Sequence, residues 1–175
     1  MQNELAYTDD FDRDRRRNLN PENRFRAVEL ISRPASESRN ADGGLRNFLR
    51  VVIKNKVEFL VVGGYAVGVH GYPRYASDLD IFVAVNPKNT ARLVNVFFSI
   101  GKAKDEVQVL TSVSGVDFWS AYKNRVEVSL GELAVPFIGI DHLLINKQAA
   151  GRRKDLIDLK ELERNHPRNA QRHPS

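Results

Sequence analysis

The sequence predicts a single α/β domain, rich in strands, between two tails. Three observations lead there. Apolar runs of strand length alternate with segments of helical period, a glycine pair follows the first of those runs directly, and short extended pieces fill the later part of the chain. With 175 residues and 42% hydrophobic content the chain can bury one core of ordinary size.

Residues 1 to 40 mix Arg, Asp and Asn with few apolar residues, as in "DDFDRDRRRNLNPENR". They lack the apolar period needed to offset the entropy of ordering, so a disordered tail is expected. The run "RDRRR" fits either a nucleic-acid contact or a solvated linker, and the interleaved aspartates favour the linker. From Gly44 the pattern changes: Leu45, Phe48, Leu49, Val52 and Ile53 recur at helical spacing, "EFLVVG" reads as a buried strand, and "YAVGVHG" as a short helix. "LDIFVAV" is a second buried strand. Asn86-Pro87 opens a helix carrying Leu93, Val94, Phe97 and Phe98, which Gly101 ends. "EVQVLTSV" is a third strand, and "GVDFWSAYKN" a short helix that puts Phe118 and Trp119 in the core. "RVEVSL" and "AVPFI" are two more extended pieces. Asp141 is expected to cap "HLLINKQAA", and Gly151 breaks the chain. "RKDLIDLKELERN" forms the last helix with Leu156, Leu159 and Leu162 on one side, and "HPRNAQRHPS" frays. The domain therefore spans 41–165, with a terminal tail over 166–175.

Composition narrows the chemistry. The absence of cysteine excludes disulfides, thiolate metal sites and cysteine nucleophiles, so a metal would rest on carboxylates or histidine, which suits hard cations. No run approaches the roughly 18 apolar residues of a membrane span, and Met1 is followed by a polar stretch unlike a signal peptide, so a cytoplasmic protein without a membrane partner is expected. Net charge is +5. The first 44 residues carry eight of the 27 Lys/Arg and nine of the 22 Asp/Glu, leaving 19 against 13 in the remainder. That surplus on the folded part favours anionic partners such as nucleotides or RNA.

The stretch "VVGGYAVGVHGYPRYASDLDIFV" combines a glycine pair, Gly63-Gly64, with two aspartates, Asp78 and Asp80. On a strand the two carboxylates share a face, about 7 Å apart, while Leu79 and Ile81 face the core. They repel unless a cation lies between them, and aspartates so placed hold Mg²⁺ against phosphate oxygens. An Asp-x-Asp alone also fits a strand with one wet face. A glycine pair alone also fits a tight turn, since neither G-x-G-x-x-G nor the phosphate-loop pattern is present.

Taken together, Gly63, Gly64, thirteen residues, Asp78, an apolar residue and Asp80 resemble the signature of the nucleotidyltransferase superfamily with the polymerase-β-like fold. With the downstream "LTSVSGV" and "NKQAAGRRKDLIDL", the chain from about Leu45 to Glu163 is similar to a group of small bacterial nucleotidyltransferase-like proteins related to toxins of toxin-antitoxin and abortive-infection systems. The resemblance implies an α/β (α+β) fold, a mixed β-sheet with helices packed on one side. Gly63 and Gly64 would meet a triphosphate, and Asp78 and Asp80 would bind Mg²⁺ or Mn²⁺ and act in catalysis. The implied activity is transfer of a nucleoside monophosphate from an NTP to an acceptor hydroxyl of RNA, such as tRNA, or of protein.

The family's third carboxylate falls at Gln108, whose neutral carbonyl oxygen supplies no charge and cannot act as a base. Glu106, two residues earlier on the same face, is displaced by about 7 Å, and Asp117 and Glu127 read as solvent-facing charges. Lys147 is implied to hold phosphate and Asp155 to orient a basic neighbour. Arg152, Arg153 and Lys154 either meet phosphate or RNA or form a solvated turn, and Arg74 reaches a phosphate or lies in its loop. Ser77 joins the phosphate contacts. His70 reads as either a packed histidine or a cleft residue, with packing the favoured reading. The alternatives are a non-catalytic Mg-nucleotide-binding module and a scaffold or antitoxin working with a partner protein in a two-gene system.

Overall fold

The structure, a computed structural model, describes residues 41–100 and 107–167. The expected tail over 1–40, the helix stop at Gly101, Glu106 and residues 168–175 lie outside the described residues. Helix α1 spans Ala41–Lys54, strand β1 Phe59–Val61, α2 Gly63–Val69, β2 Leu79–Val83, α3 Pro87–Ile100 and β3 Val107–Leu110. The second half adds α4 Phe118–Lys123, β4 Val126–Leu130, β5 Leu133–Phe137, α5 Ile140–Ala150 and α6 Arg153–Asn165.

The five strands form one mixed sheet in the order β3-β2-β1-β5-β4. β1 runs antiparallel to β2 and parallel to β5, β2 runs parallel to β3, and β4 and β5 form an antiparallel pair. A parallel neighbour requires a crossover, which α3 supplies between β2 and β3. The β4–β5 hairpin instead turns tightly at Gly131, whose φ of 65° suits glycine. All three residues of β1 are buried, as befits a central strand. The core runs from Phe48 and Leu49 of α1 through β1 and β2 to Val135 and Phe137 of β5, Leu143 and Leu144 of α5 and Leu162 of α6.

Local chemistry sets several boundaries. Asn86 Oδ1 accepts the Asn89 N–H at 2.9 Å, capping α3 just before Pro87. Buried Asn89 ties the start of α3 to Glu58 and Ala84 through three hydrogen bonds of 2.8–3.0 Å. Gly151 ends α5 in the left-handed conformation at φ 61°. The N-cap of α5 is Gly139 rather than Asp141, which lies in the first turn; a Cβ at 139 would strike the Asn124 carbonyl, so the chain passes there too closely for a side chain.

Some expected apolar faces differ. Val94 and Phe98 of α3 are exposed while Val96 is buried. On α6, Leu156 is exposed, and the inward stripe is Asp155, Asp158 and Leu162 with Leu159 partly buried, because charged groups of neighbouring elements demand counter-charges there. Trp119, expected in the core, is 52% exposed. α4 is only six residues long, so Phe118 and Ala121 take the inward positions and the next residue round must point out. His70 is buried and its Nε2 lies 2.7 Å from the Ile138 carbonyl oxygen. His166, in the expected terminal tail, is also buried, with Nε2 2.8 Å from the His70 carbonyl oxygen. Among the described residues no helix is long and apolar enough to cross a membrane.

Candidate functional site

The alternation of β2 buries Leu79, Ile81 and Val83 on one face and places Asp80 and Phe82 on the other. The parallel register with β3 sets Gln108 beside Asp80 and Leu110 beside Phe82. Gln108 is exposed, and Asp78 and Asp80 are partly exposed, so polar groups gather at the end of β2 where the chain enters the sheet.

The glycine pair belongs to the same corner. Val62 donates its N–H to the Asp80 carbonyl at 3.0 Å, and the chain then turns at Gly63 with φ 62°. A Cβ on Gly63 would land on the Asp80 carboxylate, and one on Gly64 would come within 2.7 Å of Ala76 Cβ and 3.2 Å of Arg74 Nη1. A side chain is therefore disfavoured at Gly63 by its left-handed backbone and the Asp80 side chain of β2, and at Gly64 by the loop returning to β2. Ser77 Oγ donates to Asp78 Oδ2 at 2.9 Å.

Beside this corner lies an ion-pair network. Asp158 accepts a fork of hydrogen bonds from Arg74 Nε and Nη2 at 2.6 and 2.7 Å, and its Oδ2 lies 2.9 Å from Lys147 Nζ. Lys147 Nζ also donates to Asp155 Oδ1 at 2.8 Å, while Arg152 Nε donates to Asp155 Oδ2 at 2.6 Å. Lys147, Asp155 and Asp158 are all buried. Burial alone would raise the Asp155 carboxyl, but hydrogen bonds from Arg152 and Lys147 outweigh it and hold it below its usual range.

Two residues expected to contact phosphate lie in this network. Arg74 and Lys147 both spend their donors on buried carboxylates, because an unpaired cation at such depth would be costly. At the rim stand exposed Arg152, which also pairs with Asp155, and exposed Lys154, and both act on Asp80. Asp155 pairs with basic neighbours, as the resemblance implied. Asp117 caps α4 by accepting the Ser120 N–H at 2.8 Å, and exposed Glu127 pairs with Arg125. Asp158 escaped the sequence reading altogether. Its signal was present in "KDLIDL", where it stands three residues after Asp155 and hence on the same helix face.

Asp80 is the perturbed carboxyl of this corner. Burial, and then the charge of Asp78, push it above its ordinary value of 3.8, against the pull of Lys147, Lys154 and Arg152. A carboxyl raised in the folded state contributes stability below its ordinary value and loses that contribution as pH rises through the folded value. Without metal, Asp80→Asn should therefore stabilise the protein at neutral pH, and the gain should vanish as pH falls toward 3.8. Denaturant titrations at several pH values would show it; a variant less stable than wild type at neutral pH would make Asp80 a structural partner instead.

Mg²⁺ is commonly held by one or two protein carboxylates with substrate phosphates and water completing its shell. Asp78 and Asp80 match that donor set, and the elevated Asp80 is a group whose ionised form a cation would favour. Among the described residues no three His, Asp or Glu side chains form a group able to hold a metal, so the remaining ligands would have to come from a phosphate and water. Neither a protein-family model nor a curated protein sequence matches the chain.

Proposed function

We propose that this domain is a metal-dependent nucleotidyltransferase, weakened by Gln108, which transfers a nucleoside monophosphate from an NTP to an acceptor hydroxyl of RNA or protein. The observation that carries the reading is the pair Asp78 and Asp80, like charges at an accessible corner of β2 with Asp80 raised by burial and by its neighbour. Mg²⁺ or Mn²⁺ bound there would neutralise phosphate charge and stabilise the leaving oxygen. Arg152 and Lys154 offer positive charge at the rim. The acceptor hydroxyl forms a new bond to the α-phosphorus, the α–β bridging bond breaks, and pyrophosphate leaves with its electron pair. The hydroxyl proton passes to water, because Gln108 cannot accept it.

The neutral side chain beside Asp80 also favours a second reading, a module that binds Mg-nucleotide without transfer and acts through a partner protein, as an antitoxin or scaffold would. The test is a screen of four labelled NTPs with Mg²⁺ or Mn²⁺ against total RNA and protein extract. Wild type should bind Mg-NTP and label an acceptor slowly. Asp78→Asn with Asp80→Asn should abolish both while keeping the fold. Binding without labelling selects the module, and unchanged binding in the double variant removes the site from either reading.

A further inference from the structure

Trp119 is the chain's only tryptophan and stands half exposed in the midst of an aromatic cluster. Phe118 meets Phe82 edge to face at 5.1 Å between centroids, and Trp119 meets Phe118 at 5.1 Å and Tyr122 at 5.9 Å. The latter two contacts are near right angles, 87° and 85°, so neither ring stacks on the indole. Phe82 shares the sheet face of Asp80, two residues further along β2 and so about 7 Å away. α4 thus stands at the end of the row formed by Asp80 and Phe82, with Arg125 Cζ 4.4 Å from the Tyr122 ring centroid.

Leaving so large an apolar ring wet forgoes much of its burial energy. A protein partner would call for a broader apolar surface, yet the neighbours of Trp119 on α4 include exposed Ser120 and Lys123. A nucleobase fits better, since it needs one aromatic face, tolerates cations nearby and presents polar edges. Ser120 Oγ, 3.0 Å from His142 Nε2, supplies a polar group beside the ring. We propose that Trp119 is the stacking platform for the base of the nucleotide whose phosphates meet Asp78 and Asp80. This inference rests on the nucleotide reading above.

A single tryptophan makes the test direct. Full-length protein with Mg²⁺ is titrated with ATP, CTP, GTP and UTP and, as a ligand without a base, with inorganic tripolyphosphate. At least one nucleotide should change the tryptophan emission saturably, while tripolyphosphate should bind in competition without that change. In equilibrium dialysis Trp119→Ala should weaken nucleotide binding about tenfold or more and leave tripolyphosphate binding unaltered, whereas Trp119→Phe should keep most of the affinity. Nucleotide binding with unaltered emission and wild-type affinity in Trp119→Ala would overturn the platform and leave the nucleotide reading standing. Failure of nucleotides and tripolyphosphate alike to bind would overturn both. Should Trp119→Ala not fold, the emission titration of wild type and the affinity of Trp119→Phe decide.

Discussion

Replacing Asp158 with alanine is expected to destabilise the protein by about 3–5 kcal/mol, because it strips a buried carboxylate from two cations at once. Arg74 would lose both arms of its fork, and Lys147, buried with its ammonium near Asp80, would keep only Asp155. The melting temperature should fall on the order of 10 °C for a chain of this size. The expectation concerns removal of one partner, not the net worth of the network, since apolar groups of similar shape can replace a buried ion pair without loss. Arg74→Met combined with Asp158→Leu should therefore recover much of the stability, which a double-mutant cycle followed by urea denaturation would measure. A loss below about 1 kcal/mol for Asp158→Ala would show that water takes over the carboxylate's role and that the network is not a structural anchor. The network also ties the loop before Asp78 to α6, so under the proposed function Asp158→Ala should weaken Mg²⁺-dependent nucleotide binding as well.

The second large effect is expected from Gln108→Asp. The register fixes residue 108 beside Asp80, so the substitution adds a negative ligand and a base at that corner. A metal ligand combined with a general base is worth about 10²-fold, or roughly 2.7 kcal/mol of barrier, and transfer of labelled nucleotide should rise by that order. Gln108 is exposed, so the fold should accept the change. Without metal the new charge should push Asp80 further up and lower stability at neutral pH, and Mg²⁺ should reverse the loss. Wild-type turnover at ordinary enzyme rates, indifferent to Gln108→Asp, would mean that proton acceptance resides elsewhere and would remove the reason for calling this site weakened.

Those two expectations differ in how much of them is visible in the chain itself. The period-two pattern of "LDIFV" already separates Asp80 from Leu79 and Ile81, because successive side chains on a strand must alternate. The Asn86-Pro87 start of α3 and the Gly151 stop of α5 are equally local, since each follows from the backbone preferences of one or two residues. The steric demand for Gly63 and Gly64 is only half legible: the sequence marks a turn, while the structure shows that Asp80, Ala76 and Arg74 occupy the space.

By itself, then, the sequence determined the alternation of strands and helices, the placement of Asp80 on the strand face opposite Leu79 and Ile81 and the polar character of that corner, whereas Asp78, expected on the same strand, lies in the bend just before β2. Only the tertiary structure decided who meets whom. Arg74 finds Asp158 across 84 residues, and Lys147 is drawn inward by the same carboxylate, so two cations that read as phosphate contacts are spent on the interior. Trp119 turns outward because a six-residue helix can bury only Phe118 and Ala121. The physical reason is one of range. Hydrophobic period and backbone preference act over a few residues and declare which face a side chain takes, whereas a buried charge is matched by whichever opposite charge packing brings within about 3 Å, and that choice is made by the whole fold.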